Sequence, residues 1–187
     1  MPTPDRTSLP EIVAAGRALL ESEGLAGLTM QAVAARVGVR APSLYKRVRN
    51  RRELVALIAD ATVRDLGDRL DAAAARGSDP RQVLAALARA ARSFARERPV
   101  AFGLVFAPGS EVALDRESLA RASAAVLRVS AGLAGEPHAL EAARTLTAWL
   151  NGFVAMELSG AFRLDGDLER AFEFGIDRIA DALGRTR

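Results

Sequence analysis

The amino-acid sequence predicts an all-α protein, on three observations. Apolar residues recur at three- and four-residue spacing along almost the whole chain, the alternating apolar and polar runs that would mark strands are scarce, and the helix formers Ala, Leu, Arg and Glu are abundant. The chain has 187 residues, 50% of them hydrophobic, which is enough to bury a proper core. About nine helices are expected. Three form a small N-terminal head over residues 1–53, and the rest form a helical bundle over residues 54–187.

Each element has a local reason. Ser8 with Glu11 makes a capping box, and Ile12, Ala15, Leu19 and Leu20 form an apolar stripe that ends at Gly24, so the first helix is placed there. Thr29 caps a short second helix carrying Val33, Ala34 and Val37, which stops at Gly38 because glycine accepts the left-handed turn conformation. A third begins near Pro42, a favoured first-turn residue, and carries Leu44, Tyr45 and Val48. Asn50 with Glu53 opens a long fourth helix whose apolar series runs from Leu54 to Leu70 and which reaches about Arg76. Gly77 to Pro80 is a turn with Asp79 as cap, opening a helix that Pro99 closes near Arg98. Val100 to Phe106 is short and apolar, and Glu111 to about Leu133 reads as helix. Two last helices, roughly His138 to Phe162 and Asp167 to Leu183, are separated by a turn at Asp165, Gly166 and Asp167.

Composition narrows the function. With no cysteine, disulfides, thiolate metal cages and a cysteine nucleophile are excluded. Met1 to Gly16 holds charges and prolines but no apolar run of signal-peptide length, so a cytoplasmic location is expected. The net charge is only +3, yet it is unevenly spread: residues 1–52 hold nine basic side chains against four acidic ones, and the remainder is slightly acidic. Between Gly24 and Arg52 there are seven basic residues and no acidic one. A solvated charged face explains such a run as readily as a polyanion partner does, so charge alone leaves both open.

Spacing decides between them. The segment Leu28 to Leu54 places two short helices around a turn, with small Ala34 where the helices touch, Gly38 in the turn, and Leu44 and Val48 facing inward. Arg40, Ala41, Ser43, Lys46 and Arg47 then lie outward, where arginine can read guanine and hydroxyl or lysine groups can hold phosphates. This run resembles the DNA-binding head of the tetracycline-repressor family of bacterial transcription regulators, through Thr29, the Ala-x-x-x-Gly-Val run ending at Gly38 and Val39, Pro42, Leu44-Tyr45, Val48, and Asn50 with Arg51 before Leu54. The likeness covers about Ser8 to Leu57. It implies double-stranded DNA as partner, with Thr29, Gln31, Arg40, Ala41, Pro42, Ser43, Tyr45, Lys46 and Arg47 on or near it and Arg51 touching a phosphate. Packing in the head's core is the competing role for Tyr45. Arg47 stands where the family often has an aromatic or histidine.

In the body, Glu157 is the single charged residue from Thr145 to Phe162, and the apolar residues cover nearly the whole circumference of the helix, which is expected to be buried on all sides. A membrane span is rejected, because the stretch is too short and too polar. Packing on its own core with one side and on a second subunit with the other is the expectation, with Leu150, Val154, Phe172, Ile176 and Ile179 at a homodimer interface. The run WLNGFVAMELSGAF and the helix after it resemble the Trp-His-Gly type of C-terminal domain in this family, with Asn151 where histidine is expected. Phe94, Phe102, Phe106, Trp149, Asn151, Phe153 and Glu157 are the candidates for a pocket taking a small apolar effector. For Asn151 and Glu157 the competing role is a buried bond to backbone or to Arg144.

An enzyme finds little support. There is no Gly-rich phosphate loop, no His-Glu-x-x-His pair and no Gly-x-Ser-x-Gly elbow, and His138 is the single histidine, so neither a cofactor nor a metal site is expected. The resemblance implies a ligand-released repressor on a near-palindromic operator. A regulator tuned by a protein partner without a small molecule is the alternative.

Overall fold

The structure is a computed structural model that describes residues 7–107, 112 and 114–184. Among these residues every regular element is helical: α1 (Leu9–Gly27), α2 (Met30–Arg36), α3 (Ala41–Leu44), α4 (Arg51–Ala74), α5 (Pro80–Glu97), α6 (Pro99–Phe106), α7 (Arg116–Ala134), a short 3-10 turn (Glu136–His138), α8 (Ala139–Leu158) and α9 (Leu168–Leu183). The expected start of the seventh helix, Glu111, lies outside the described residues.

The caps explain the starts. The Ser8 backbone N–H donates to Glu11 Oε2 at 2.7 Å while Ser8 Oγ accepts from the Glu11 N–H, closing the capping box. Asn50 Oδ1 accepts from the Glu53 N–H at 2.9 Å, and the Glu53 carboxylate reaches back to the Arg49 N–H at 2.6 Å. Asp79 and Asp167 cap α5 and α9. The helical geometry of α1 breaks at Gly24, at φ 69°, where its apolar stripe ends, and a further turn continues across this kink to Gly27, while α8 ends at Leu158, short of Phe162, with Gly160 turning the chain at φ 65°. Glycine tolerates this non-helical conformation, which an L side chain would strain.

Packing divides the chain into two compact units, Met1–Val63 with Arg98–Asp115, and Arg64–Glu97 with Arg116–Arg187. This is not the division at 53/54 read from the sequence, and α6 is the reason. Ala101 of α6 is buried in the first unit's core with Ile12, Leu20, Leu28, Val33, Leu44, Val48, Leu54 and Ile58, and Val100 and Leu104 pack against it. Glu21 of α1 fixes this placement by accepting from the backbone N–H groups of Val100 (3.2 Å) and Ala101 (2.8 Å). Those are first-turn donors of α6 that its own N-cap, Arg98, leaves unsatisfied.

The second unit is a bundle of α5, α7, α8 and α9 with the second half of α4. Phe94, Leu84, Leu87, Leu146, Val154, Phe172 and Ile176 are among its fully or nearly fully buried apolar side chains. No helix of the described residues is long and apolar enough to cross a membrane.

Candidate functional site

In the first unit, Thr29 Oγ1 accepts from the Ala32 N–H at 3.1 Å and starts α2. Gly38, at φ 72°, turns the chain, and the Val39 N–H donates to the Ala34 carbonyl at 3.0 Å, drawing the turn back onto α2. The α3 helix is a single turn, extended by bonds from the Arg47 and Val48 N–H groups to the Leu44 carbonyl. Leu44 and Val48 are buried and hold the segment to the core. With these two anchored, Arg40, Pro42, Ser43, Tyr45, Lys46 and Arg47 stand in water, as do Thr29 and Gln31 of the preceding helix, and Ala41 is half-buried. Tyr45 is 51% exposed, so its phenol is a surface group and not part of the core.

Arg51, which the resemblance puts on a phosphate, is exposed and also bonds within the chain. Its Nε donates to the Leu28 carbonyl at 2.7 Å and its Nη2 donates to the Leu25 carbonyl, so the guanidinium ties the start of α4 to the link after α1. The neighbouring Arg52 is exposed.

The candidates for the pocket are divided between the two units. Phe102 and Phe106 pair at 4.7 Å on α6 in the first unit, whereas Phe94, Trp149, Asn151, Phe153 and Glu157 belong to the second. Phe94 is wholly buried and offers no surface to a ligand. Trp149 stacks on Phe172 at 5.5 Å, and Phe153 packs on Trp149, Phe162 and Phe172 at 5.0–5.9 Å, so these rings fill one another. Asn151 is half-buried on α8.

Glu157 has a partner, and it is Arg92, where the sequence offered backbone or Arg144. The Arg92 guanidinium is 4% exposed and donates from Nε and Nη2 to the two Glu157 oxygens, both at 2.8 Å. Its Nη1 donates to Glu169 at 2.8 Å, and its plane lies 4.3 Å from the centre of the Phe172 ring. The fork of hydrogen bonds to Arg92 holds the Glu157 carboxyl below the usual carboxylate value and raises the arginine. Arg89 makes the same fork with Glu173. Between α5 and α9 these residues border an open groove of about 450 Å³, lined by Arg89, Arg92, Arg96, Glu97, Glu169 and Phe172 among others. Sequence reasoning missed it. The signal was present, since Arg89, Arg92 and Arg96 recur at helical spacing on α5 as Glu169 and Glu173 do on α9.

The residues expected at a dimer interface divide likewise. Val154, Phe172 and Ile176 are buried within the second unit's own core, and Leu150 and Ile179 are half-buried. In the single chain one side of α8 is open, with Ala148, Gly152, Ala155 and Met156 exposed, and so are Ala171 and Phe174 of α9, the phenylalanine at 64%.

Comparison with known proteins agrees with both halves. Residues 12–58 match the family described as bacterial regulatory proteins, tetR family, and residues 84–179 match the tetracyclin repressor-like C-terminal domain. An uncharacterized HTH-type transcriptional regulator of Bacillus subtilis, YobS, is 28% identical over 92% of this chain and 90% of its own. A solved protein of unknown function from Rhodococcus sp. RHA1 superposes with TM-score 0.81 at 23% identity, covering 99% of this chain and 100% of that one. TetR of Acinetobacter baumannii AYE superposes with TM-score 0.73 at 20% identity, over 97% and 98% of the two chains.

Proposed function

Because the chain belongs to the tetracycline-repressor family of bacterial transcription regulators, we propose that it acts as a homodimeric, ligand-released repressor of a near-palindromic operator. The observation that carries the reading is the solvent-facing row Arg40, Ser43, Tyr45, Lys46 and Arg47 on a segment anchored by buried Leu44 and Val48. Arg40 and Ser43 are the base-reading candidates, and Tyr45, Lys46 and Arg52 are the phosphate holders. In this reading residues 1–53 read DNA, and residues 54–187 dimerise and sense. The protein works in the cytoplasm and catalyses no reaction.

Two subunits meet through the exposed small and apolar residues of α8 and α9, Ala148, Gly152, Ala155, Met156 and Phe174, where close approach of helices is easiest. The dimer holds two recognition segments at the spacing of successive major grooves, about 34–36 Å. An effector that prefers another spacing lowers operator affinity, and a coupling of about 1–3 kcal/mol suffices for release. The helix α4 is the covalent lever, since Arg51–Val63 belongs to the first unit and the rest of the helix to the second. The chain leaving α5 enters α6, whose first turn Glu21 holds, and forms the second covalent link.

The test is selection of binding sites from genomic DNA with purified protein, followed by gel shifts on the enriched sequence at two salt concentrations. A near-palindromic site with steep salt dependence is expected. Absence of enrichment overturns the reading.

A further inference from the structure

We propose that the effector is a small organic carboxylic acid, bound in the groove between α5 and α9 with its carboxylate on Arg92 and Arg96, in the place Glu169 occupies. The inference deepens the regulator reading and rests on it for its consequence; its chemistry comes from the groove.

Arg92 holds two carboxylates of unlike standing. Glu157 is gripped from inside by two bonds and its side chain is 9% exposed, while Glu169 makes one bond, to Nη1, and is 59% exposed. Glu169 is therefore the one a solute can displace. Beside it stands Arg96, 56% exposed, with ion pairs to Glu157 and Glu169 that are long, at 3.7 and 4.0 Å. Of the three groove arginines, Arg89 is forked onto Glu173 and Arg92 onto Glu157, so Arg96 is the one whose pairs are long, and Glu97 is held by Arg69 at 2.7 Å.

Exchange costs little on Arg92, because one carboxylate replaces another and the buried guanidinium is never left unpaired. The gain comes from Arg96, whose long pairs give way to short, charge-assisted bonds. A neutral ligand obtains neither. The groove, at about 450 Å³, suits a small molecule. Its floor is the stacked Arg92–Phe172 pair and its rim carries the charged Arg89, Arg96, Glu97 and Glu169, so an acid with a small apolar body finds both an ion partner and an apolar surface there. Displacing Glu169, in the first turn of α9, removes one of the ties between α9 and α5, whose chain runs on into α6.

The experiment titrates full-length protein with benzoate and hexanoate, and with benzamide and hexanamide as neutral counterparts, at constant ionic strength. Heat of binding and retention of the selected operator are both read. The acids are expected to bind and to release the operator, and the amides to do neither. Arg96→Ala, at an exposed position, should weaken acid binding about tenfold or more. Glu169→Gln should strengthen it, which a merely structural role for Glu169 would not produce. Equal behaviour of acids and amides, or an unchanged affinity in Arg96→Ala, overturns the site. Acid binding without operator release overturns its regulatory role. A protein that selects no operator at all overturns the regulator reading instead, and the heats still judge the groove.

Discussion

The indole of Trp149 lies against the Cα of Gly175, so closely that a Cβ on that glycine would overlap the ring, 3.0 Å or less from Cζ2 and Cε2. This contact sets how near α9 approaches α8, and it lets Trp149 stack on Phe172 one turn away. Gly175→Ala should therefore cost about 1–3 kcal/mol by forcing the indole from its place. Urea unfolding followed by Trp149 fluorescence measures it, and an unchanged midpoint would show that the ring moves aside freely.

Arg92→Ala removes both hydrogen bonds of the buried Glu157 and leaves it the long 3.7 Å pair to Arg96. The loss should be about 3–5 kcal/mol, whereas Arg96→Ala should unfold at nearly the parent temperature. Thermal melts of the two variants side by side provide the comparison.

The same pair gives a pH dependence. The Glu157 carboxyl is held below its ordinary value of 4.5 by the Arg92 hydrogen bonds. Its contribution to stability is thus fully present above that value and is lost as the pH falls through the depressed one in the folded state. Glu157→Gln should be less stable than the parent at neutral pH, and the gap should narrow below pH 4.5. Unfolding free energies at several pH values test the sign, and a gap that widens on acidification would refute it.

Arg51 and Lys46 should separate two kinds of basic residue. Lys46→Ala should flatten the slope of log affinity against log salt by about 0.9 and leave the melting temperature alone. Arg51→Ala should lower stability by about 1–3 kcal/mol, because two carbonyl bonds at the start of α4 are lost. Gel shifts across a salt series, with melts of the free proteins, distinguish them. A melt of Arg51→Ala identical to the parent would return that residue to a phosphate.

Met156→Arg and Phe174→Arg should yield folded monomers, since both side chains are exposed in the single chain, at 44% and 64%. Phe172→Arg, at a wholly buried position, should instead abolish folding. Sedimentation distinguishes the outcomes, and persistent dimers from both surface variants would move the interface off these faces.

The helices and most of their ends were determined by the sequence alone. Ser8 with Glu11, Thr29 before Ala32 and Asp167 before Arg170 bond across two to four residues, so the neighbours that make the cap are the ones written beside it. The inward Leu44 and Val48 and the outward Arg40 and Lys46 were legible for the same reason, because a helical period assigns faces before any tertiary contact exists. The tertiary structure decided what depends on meeting a distant partner. Period 3.6 shows that Val154, Phe172 and Ile176 are apolar-face residues, but not whether that face meets this chain or another; the fold buries them in their own unit. Arg51 has the right charge for a phosphate, and the fold also gives it the Leu28 carbonyl, 23 residues away, as a partner. Glu21 and α6 are joined across 79 residues, and Arg92 and Glu157 across 65. A charge on a helix face is compatible with water, a ligand or any opposite charge, and only the folded chain selects which of them it touches.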